Sequence, residues 1–195
     1  MVNYKQIIAD TASQHYNVRD ELKENTVAQN IDICQASQLP FSVGVVNVAG
    51  ELNVGMMLRS AMLLGAENFY IFGRKHFDKR STCGAEHYMN VVHYVSTPLG
   101  SEEDMVLELS LLPHTIVLCE LGGYELGKDN SSFYARFNKS PLFLFGSESH
   151  GMPSYVINQF PNNIVSIPQR GVLRSFNVSA AMNIICWDYL KDIHL

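Results

Sequence analysis

Residues 41–73, FSVGVVNVAGELNVGMMLRSAMLLGAENFYIFG, decide the fold. FSVGVVNVAG (41–50) is short, β-branched and bounded by glycine, the pattern of a buried strand. From about Leu52 to Leu64 the residues are nearly all apolar (Val54, Met56, Met57, Leu58, Ala61, Met62, Leu63, Leu64), over a length that suits a helix packed on most sides. NFYIFG (68–73) reads as a second strand, which completes a strand–helix–strand unit. Outward from this unit, RKHFDKRSTCGAEHY (74–88) reads as a polar loop and VVHYV (91–95) as a strand. A helix starts at SEED, with Ser101 as N-cap and Asp104 closing a box-like pattern, and ends near Leu112. TIVLCE (115–120), PLFLFG (141–146) and NIVSIP (163–168) read as further strands. Between them lie a turn-rich connection, LGGYELGKDNSS (121–132), a short helix or turn at SSFYARF, the loop SESHGMP and a proline-entered helix, PSYVINQF. QRGVLRSF (169–176) is a loop and NVSAAMNIICWDYL (177–190) a closing helix. Apolar strands alternating with helices imply an α/β fold, a mostly parallel sheet with helices on both faces.

Residues 1–40 are polar and read as an N-terminal extension with broken helical patterns; in VRDELKENTVAQN (18–30), Val18, Leu22 and Thr26 share a helical face. Residues 41–195 form the main domain. The chain has 195 residues, 47% hydrophobic and 17% charged, which excludes disorder and coiled coil. No apolar run approaches the roughly 20 residues of a membrane span, and the opening residues lack a leader pattern, so the expectation is a soluble, cytoplasmic protein without membrane contact. Cys34, Cys83, Cys119 and Cys186 lack C-x-x-C or metal spacing, which suits reduced thiols and no metal. Fourteen Lys and Arg against nineteen Asp and Glu give a net charge of −5, so any nucleic-acid partner must meet a local basic patch.

Three segments carry candidate chemistry. In the first, Arg59 sits mid-way along an apolar helix, where a charge needs a partner or a purpose. Asn53 is placed to cap that helix, and Gly55, one turn before Arg59, leaves space above the guanidinium. In the second, LFLFGSESHGMP, Gly146 follows a buried strand and Glu148 and Gly151 lie in the loop beyond it, where parallel sheets bind ligands. Ser147 to Gly151 also resembles a serine-nucleophile elbow, which offers a rival reading as a hydrolase using Ser149; only His150 and His194 follow it as histidines. The third, IPQRGVLRSFNVSAAMN, joins Arg170, Gly171 and Arg174 to a helix capped by Ser175 or Asn177, a setting that favours an anion. Neither G-x-G-x-x-G nor a Walker A sequence occurs. Arg74, Lys75, Lys79 and Arg80 crowd into seven residues, joined by His76 and His87, and can grip phosphates. Phe77 and Tyr88 beside them could stack on unpaired bases.

In this order, the three segments resemble the motifs of the SpoU (TrmH-like) branch of the SPOUT methyltransferases across residues 41–190, with STCGAEHYMNV similar to the Ser-x-x-Gly-Ala segment between the first two. The resemblance implies a deep C-terminal trefoil knot, one of the exceptions to unknotted folds. It also implies S-adenosyl-L-methionine bound in that knot, a homodimer with active sites near its interface, and methylation of a ribose 2′-hydroxyl in tRNA or rRNA. On this reading Arg59 is the catalytic arginine, Asn53 supports the first loop, and Glu148, Ser175 and Asn177 match the other polar positions. Leu144, Phe145, Gly146, Glu148, Gly151, Ile167, Pro168, Ser175, Phe176 and Asn177 are the expected donor-binding residues, with Ile167 and Phe176 as apolar walls. Arg59, Arg74, Lys75, Lys79, Arg80, His87 and Arg174 are expected to meet RNA. Phe176 replaces a common leucine, and His150 is an unusual filler. A SPOUT-like RNA-binding protein without catalysis is the non-enzyme alternative.

Overall fold

Alternate residues of each central strand feed two separate cores, which is why the strands read as continuous apolar runs. In PLFLF, Phe143 and Phe145 join one buried cluster and Leu142 and Leu144 the other. Phe69 and Ile71 likewise oppose Tyr70 and Phe72. The computed structural model describes residues 17–47, 51–73, 77–94, 102–127, 130–148 and 150–191. In chain order the elements are α1 (Val27–Ala36), β1 (Ser42–Asn47), α2 (Glu51–Leu63), β2 (Asn68–Gly73), α3 (Lys79–Thr82), β3 (Asn90–Tyr94), α4 (Glu102–Leu111), β4 (Thr115–Glu125), α5 (Asn130–Tyr134), β5 (Pro141–Phe145), α6 (Ser154–Gln159), β6 (Ile164–Ser166) and α7 (Val178–Lys191). The strands form one sheet in the order β3-β2-β1-β5-β4-β6, with every pairing parallel.

Helices cover both faces. Val54, Met57, Leu58 and Ala61 of α2 and Met182, Ile185 and Cys186 of α7 pack on one side, Met105 and Leu109 of α4 and Val156 of α6 on the other. Helix α7 is also anchored by Asp188, whose Oδ2 accepts from the Tyr134 hydroxyl at 3.0 Å and whose Oδ1 meets Lys191 Nζ at 2.7 Å. After β1 the chain moves outward to β2 and β3, then returns to place β5 on the other side of β1. The β1/β5 boundary is therefore a topological switch point, and ligands of such sheets bind beyond the carboxyl ends there. The path from edge strand β6 through residues 167–177 to α7, which returns against α2 and β5, accords with the expected knot.

Several local expectations need correction. Strand β4 runs on through Leu121–Glu125, with an irregularity between Cys119 and Tyr124 against β6, so part of the supposed turn-rich connection is sheet. The polar loop after β2 contains α3, whose N-cap Asp78 accepts from Arg80 N, and a 3-10 turn at Ala85–His87. Val18, Leu22 and Thr26 do not share one helix. A 3-10 turn covers Asp20–Leu22, and Thr26 is the N-cap of α1, its hydroxyl accepting from Gln29 N while the Gln29 side chain accepts from Thr26 N. Ser101 lies outside the described residues. No helix among the described residues is long and apolar enough to cross a membrane.

Between β2 and the start of β4, His114 is buried. Its Nδ1 donates to the Ser140 carbonyl at 3.3 Å, leaving Nε2 to accept from the Tyr70 hydroxyl at 3.0 Å. Burial, outweighing the Ser140 carbonyl and Glu67, holds this imidazole below its ordinary value of 6.5. The unfolded chain therefore binds a proton there more readily, so stability contributed by this site is complete above the ordinary value and lost as pH falls below it. Urea midpoints should drop between about pH 7 and about pH 5, and His114→Gln should remove part of that slope.

Candidate active site

The loop after β5 begins with a tight closure. Ser147 N donates to the Gly151 carbonyl at 3.0 Å and Gly151 N to the Ser147 carbonyl at 2.8 Å, with Gly151 at φ +67°. A Cβ on Gly146 would lie 2.2 Å from the Gly151 carbonyl carbon and 2.4 Å from Met152 N, so only glycine permits this approach. The closure projects Glu148 toward the start of α2, where Glu148 Oε2 accepts from Asn53 Nδ2. Asn53 Oδ1 accepts in turn from Asn177 Nδ2 at 3.1 Å. Asn177 Oδ1 accepts from Ser179 N at 3.0 Å and Ser179 Oγ at 2.8 Å, capping α7. One chain of hydrogen bonds thus joins all three segments singled out in the sequence.

Asn53 is therefore not the cap of α2: it is the third residue of that helix, and its amide serves the other two segments. Of the two candidate caps of α7, Asn177 fills the role. Gly55 does not leave room above Arg59; a Cβ there would sit 1.9 Å from Ser81 Oγ and 2.9 Å from the Asp78 carbonyl, so it permits close packing of α2 on α3.

A cavity of about 220 Å³ opens beside this network, at the carboxyl ends of β5 and β6 and against Cys119–Leu121 of β4. Phe145, Gly146, Glu148, Gly151, Ile167, Ser175 and Phe176 line it, as does Arg174. Leu144 does not, because it faces the opposite core, and neither Pro168 nor Asn177 is among the lining residues. Among the wall residues that the sequence does not mark are Cys119, Glu120 and Ser166. The carboxylate ending the apolar run TIVLCE is the signal that could have marked Glu120. Its Oε1 accepts from Leu121 N and its Oε2 from Met152 N, both at 2.9 Å, so it ties the middle of β4 to the closed loop. Burial pushes the Cys119 thiol well above its ordinary value, with Cys186 and Glu120 adding to the effect.

Arg59 does not line this cavity. Its Nη1 meets Cys83 Sγ at 3.2 Å, and among the described residues no carboxylate lies within ion-pair distance of it. It borders a separate groove of about 490 Å³ between α2, the 82–85 segment and the N-terminal residues Asn17–Leu22. The exposed residues Leu52, Met56, Arg59 and Leu63 fall at helical spacing along one face of α2, so the guanidinium stands within an apolar stripe. Of the basic cluster, Lys79 is exposed and Arg80 is exposed but doubly hydrogen-bonded to Asp78, while Arg74, Lys75 and His76 lie outside the described residues. His87 lies next to the buried Tyr88. Tyr88 is unavailable for stacking because it is buried, and Phe77 packs against the core. Ser149 and His194, the hydrolase candidates, also lie outside the described residues. No group of His, Cys, Asp or Glu among the described residues is placed to hold a metal ion.

The model of the SpoU rRNA Methylase family matches residues 40–187. A 57-residue stretch is 38% identical to the Mus musculus tRNA (guanosine(18)-2′-O)-methyltransferase TARBP1, covering 29% of this chain and 4% of that protein. Among solved structures, the SpoU methyltransferase AviRb from Streptomyces viridochromogenes in complex with AdoMet is similar at TM-score 0.59 and 24% identity, over 80% of this chain and 58% of AviRb. The AdoMet-bound rRNA methyltransferase from Sinorhizobium meliloti gives TM-score 0.64 and 20% identity, over 85% and 61% of the two chains. The A. aeolicus TrmH/SpoU tRNA modifying enzyme gives TM-score 0.65 and 17% identity, over 85% and 81%. The chain thus spans a small part of the mouse relative and about three-fifths of the first two structures, and the structural likenesses speak for the fold.

The Asn177 cap generates a prediction independent of activity. Asn177→Ala should cost about 1 kcal/mol in urea unfolding. Asn177→Asp keeps an oxygen for the Ser179 N–H and should cost much less, although it loses the donor to Asn53.

Proposed function

Because the chain belongs to the SpoU rRNA methylase family, we propose that it methylates a ribose 2′-hydroxyl of RNA, using S-adenosyl-L-methionine held in the cavity beside Glu148. The observation that carries this reading is the convergence of all three motif segments on one hydrogen-bonded network at the edge of that cavity. The residues present suit the donor. Ile167, Phe176, Val165 and Ile185 offer apolar surface to a flat heterocycle, and the carboxylate Glu148 suits a cation. When bound, the donor supplies an already activated sulfonium methyl group. The protein's task is then to align the acceptor hydroxyl and stabilise charge on its oxygen. The Asn53–Glu148–Asn177 network fixes the loops that shape the cavity. Arg59 supplies the positive charge for the acceptor oxygen, but a guanidinium stays protonated, so the proton passes to another base, an RNA phosphate among the candidates.

The separation of Arg59 from the cavity of its own chain gives the dimer a catalytic purpose. The exposed stripe Leu52, Met56 and Leu63, with Ile184 and Trp187 on α7, is the face we assign to a second copy, and Arg59 at its centre would serve the partner's cavity. The mouse relative's name makes tRNA the first pool to test, with rRNA beside it.

Purified protein incubated with methyl-labelled donor and separated tRNA and rRNA pools should label riboses in one pool. Arg59→Ala should lower that turnover by about 10²-fold while donor affinity stays near normal, as loss of one charge-stabilising group requires. Reassembling Arg59→Ala with Glu148→Ala should restore roughly a quarter of wild-type turnover, since half the dimers are mixed and one of their two sites is intact. Absence of label together with absence of donor binding would favour the RNA-binding alternative, absence of label despite donor binding would point to a missing partner or another RNA, and no recovery on mixing would place Arg59 in its own chain's site.

The basic segment provides a second test of the RNA reading. Replacing Arg74, Lys75, Lys79 and Arg80 together with Gln should weaken RNA binding and flatten its dependence on salt, whereas unchanged slopes would remove this segment from the interface.

A further inference from the structure

Glu120 is a carboxylate in the cavity wall that the methyl-transfer reading leaves without a task. It ends the apolar run of β4, and each of its oxygens accepts one backbone N–H, from Leu121 and from Met152. A carboxylate has about four acceptor positions, so two remain. Among the described residues no Lys or Arg lies within ion-pair distance of it. Its two backbone donors fix the plane of the group before any ligand arrives, which lowers the ordering cost of binding. The other carboxylate of the cavity, Glu148, is bound to Asn53 at the edge where the three motif segments meet. Glu120 instead adjoins the inner apolar wall formed by Cys119, Phe145 and Val165.

We propose that Glu120 is a specificity-determining residue that accepts hydrogen bonds from the two neighbouring hydroxyls of the donor's ribose, and so selects ribonucleoside over deoxyribonucleoside ligands. This rests on the reading of the cavity as the donor site. A carboxylate held edge-on matches a vicinal diol, as acidic residues do in dinucleotide-binding folds. A cationic ligand group is better met by Glu148, beside the reacting region. Glu120 is also a clamp on the 146–152 loop, and the test must separate the two roles.

Calorimetric titration of the wild-type chain with S-adenosylhomocysteine, its 2′-deoxy and 3′-deoxy analogues, and 5′-methylthioadenosine makes that separation. Wild type should bind S-adenosylhomocysteine roughly tenfold or more tightly than either deoxy analogue, the range for hydrogen bonds to a charged acceptor. In Glu120→Gln that preference should fall toward unity, while the preference for S-adenosylhomocysteine over 5′-methylthioadenosine is kept. Equal weakening of every ligand would reduce Glu120 to a clamp and overturn the proposal. So would collapse of the 5′-methylthioadenosine ratio alone, which would place Glu120 against the donor's ammonium. Wild-type indifference to the ribose hydroxyls overturns it without any variant. If wild type binds none of the four ligands, the donor-site reading itself falls.

Discussion

The amide of Asn53 is the point on which this architecture turns. Its nitrogen donates to Glu148 and its oxygen accepts from Asn177, so a single side chain on α2 holds two loops that are 95 and 124 residues away in sequence. An aspartate could not donate to Glu148 and a leucine could do neither, because the position needs a donor and an acceptor on opposite sides of one planar group. The same geometry explains why the helix start at Asn177 matters beyond its own helix. Its oxygen caps α7 while its nitrogen completes the bridge, so the orientation of the last helix and the shape of the cavity are set together.

The sheet makes this meeting possible. Strand β1 lies between β2 and β5, and the reversal of strand order about β1 places the start of α2 beside the loop that leaves β5. The two-sided burial of these strands fixes their register, since a slip of one residue would exchange Phe143 and Phe145 with Leu142 and Leu144 between unlike cores. Rigid strands then deliver Phe145–Gly146, Cys119–Glu120 and Val165–Ser166 to the same cavity. The loops can be irregular because the elements that carry them are not.

Much of this was legible in the sequence, for identifiable reasons. Strand and helix positions followed from apolar run lengths and from glycine and proline boundaries, and the motif residues Asn53, Glu148 and Asn177 stood out as polar groups in apolar or glycine-rich settings. Their mutual hydrogen bonds were not legible, because spacing along a chain does not report which loops a crossover brings together. Capping is the commonest local use of asparagine near a helix start, so the sequence points Asn53 to a local role that the structure replaces with a long-range one. Neighbours in a strand read alike, so the sequence does not separate Leu144 from Phe145, whereas the pleat sends them to opposite faces. Glu120 ends the apolar run TIVLCE, and nothing local to that run reports that the 146–152 loop folds back onto its carboxylate; the continuation of β4 through LGGYE likewise depends on an irregular pairing with β6, a strand remote in sequence. Arg59 was read with the other motif residues, yet six positions of helix carry it about 9 Å beyond Asn53 and onto another face.

The thiol of Cys119 in the cavity wall acquires a different meaning once a methyl sulfonium is the intended guest. A thiolate is a far better nucleophile than a ribose hydroxyl, and it would attack the same carbon, leaving a methylated cysteine and a spent donor. The burial that raises this thiol keeps it in the protonated, unreactive form. A thiol thus stands in the wall of the cavity without the charge that would let it compete with the acceptor hydroxyl for the methyl group.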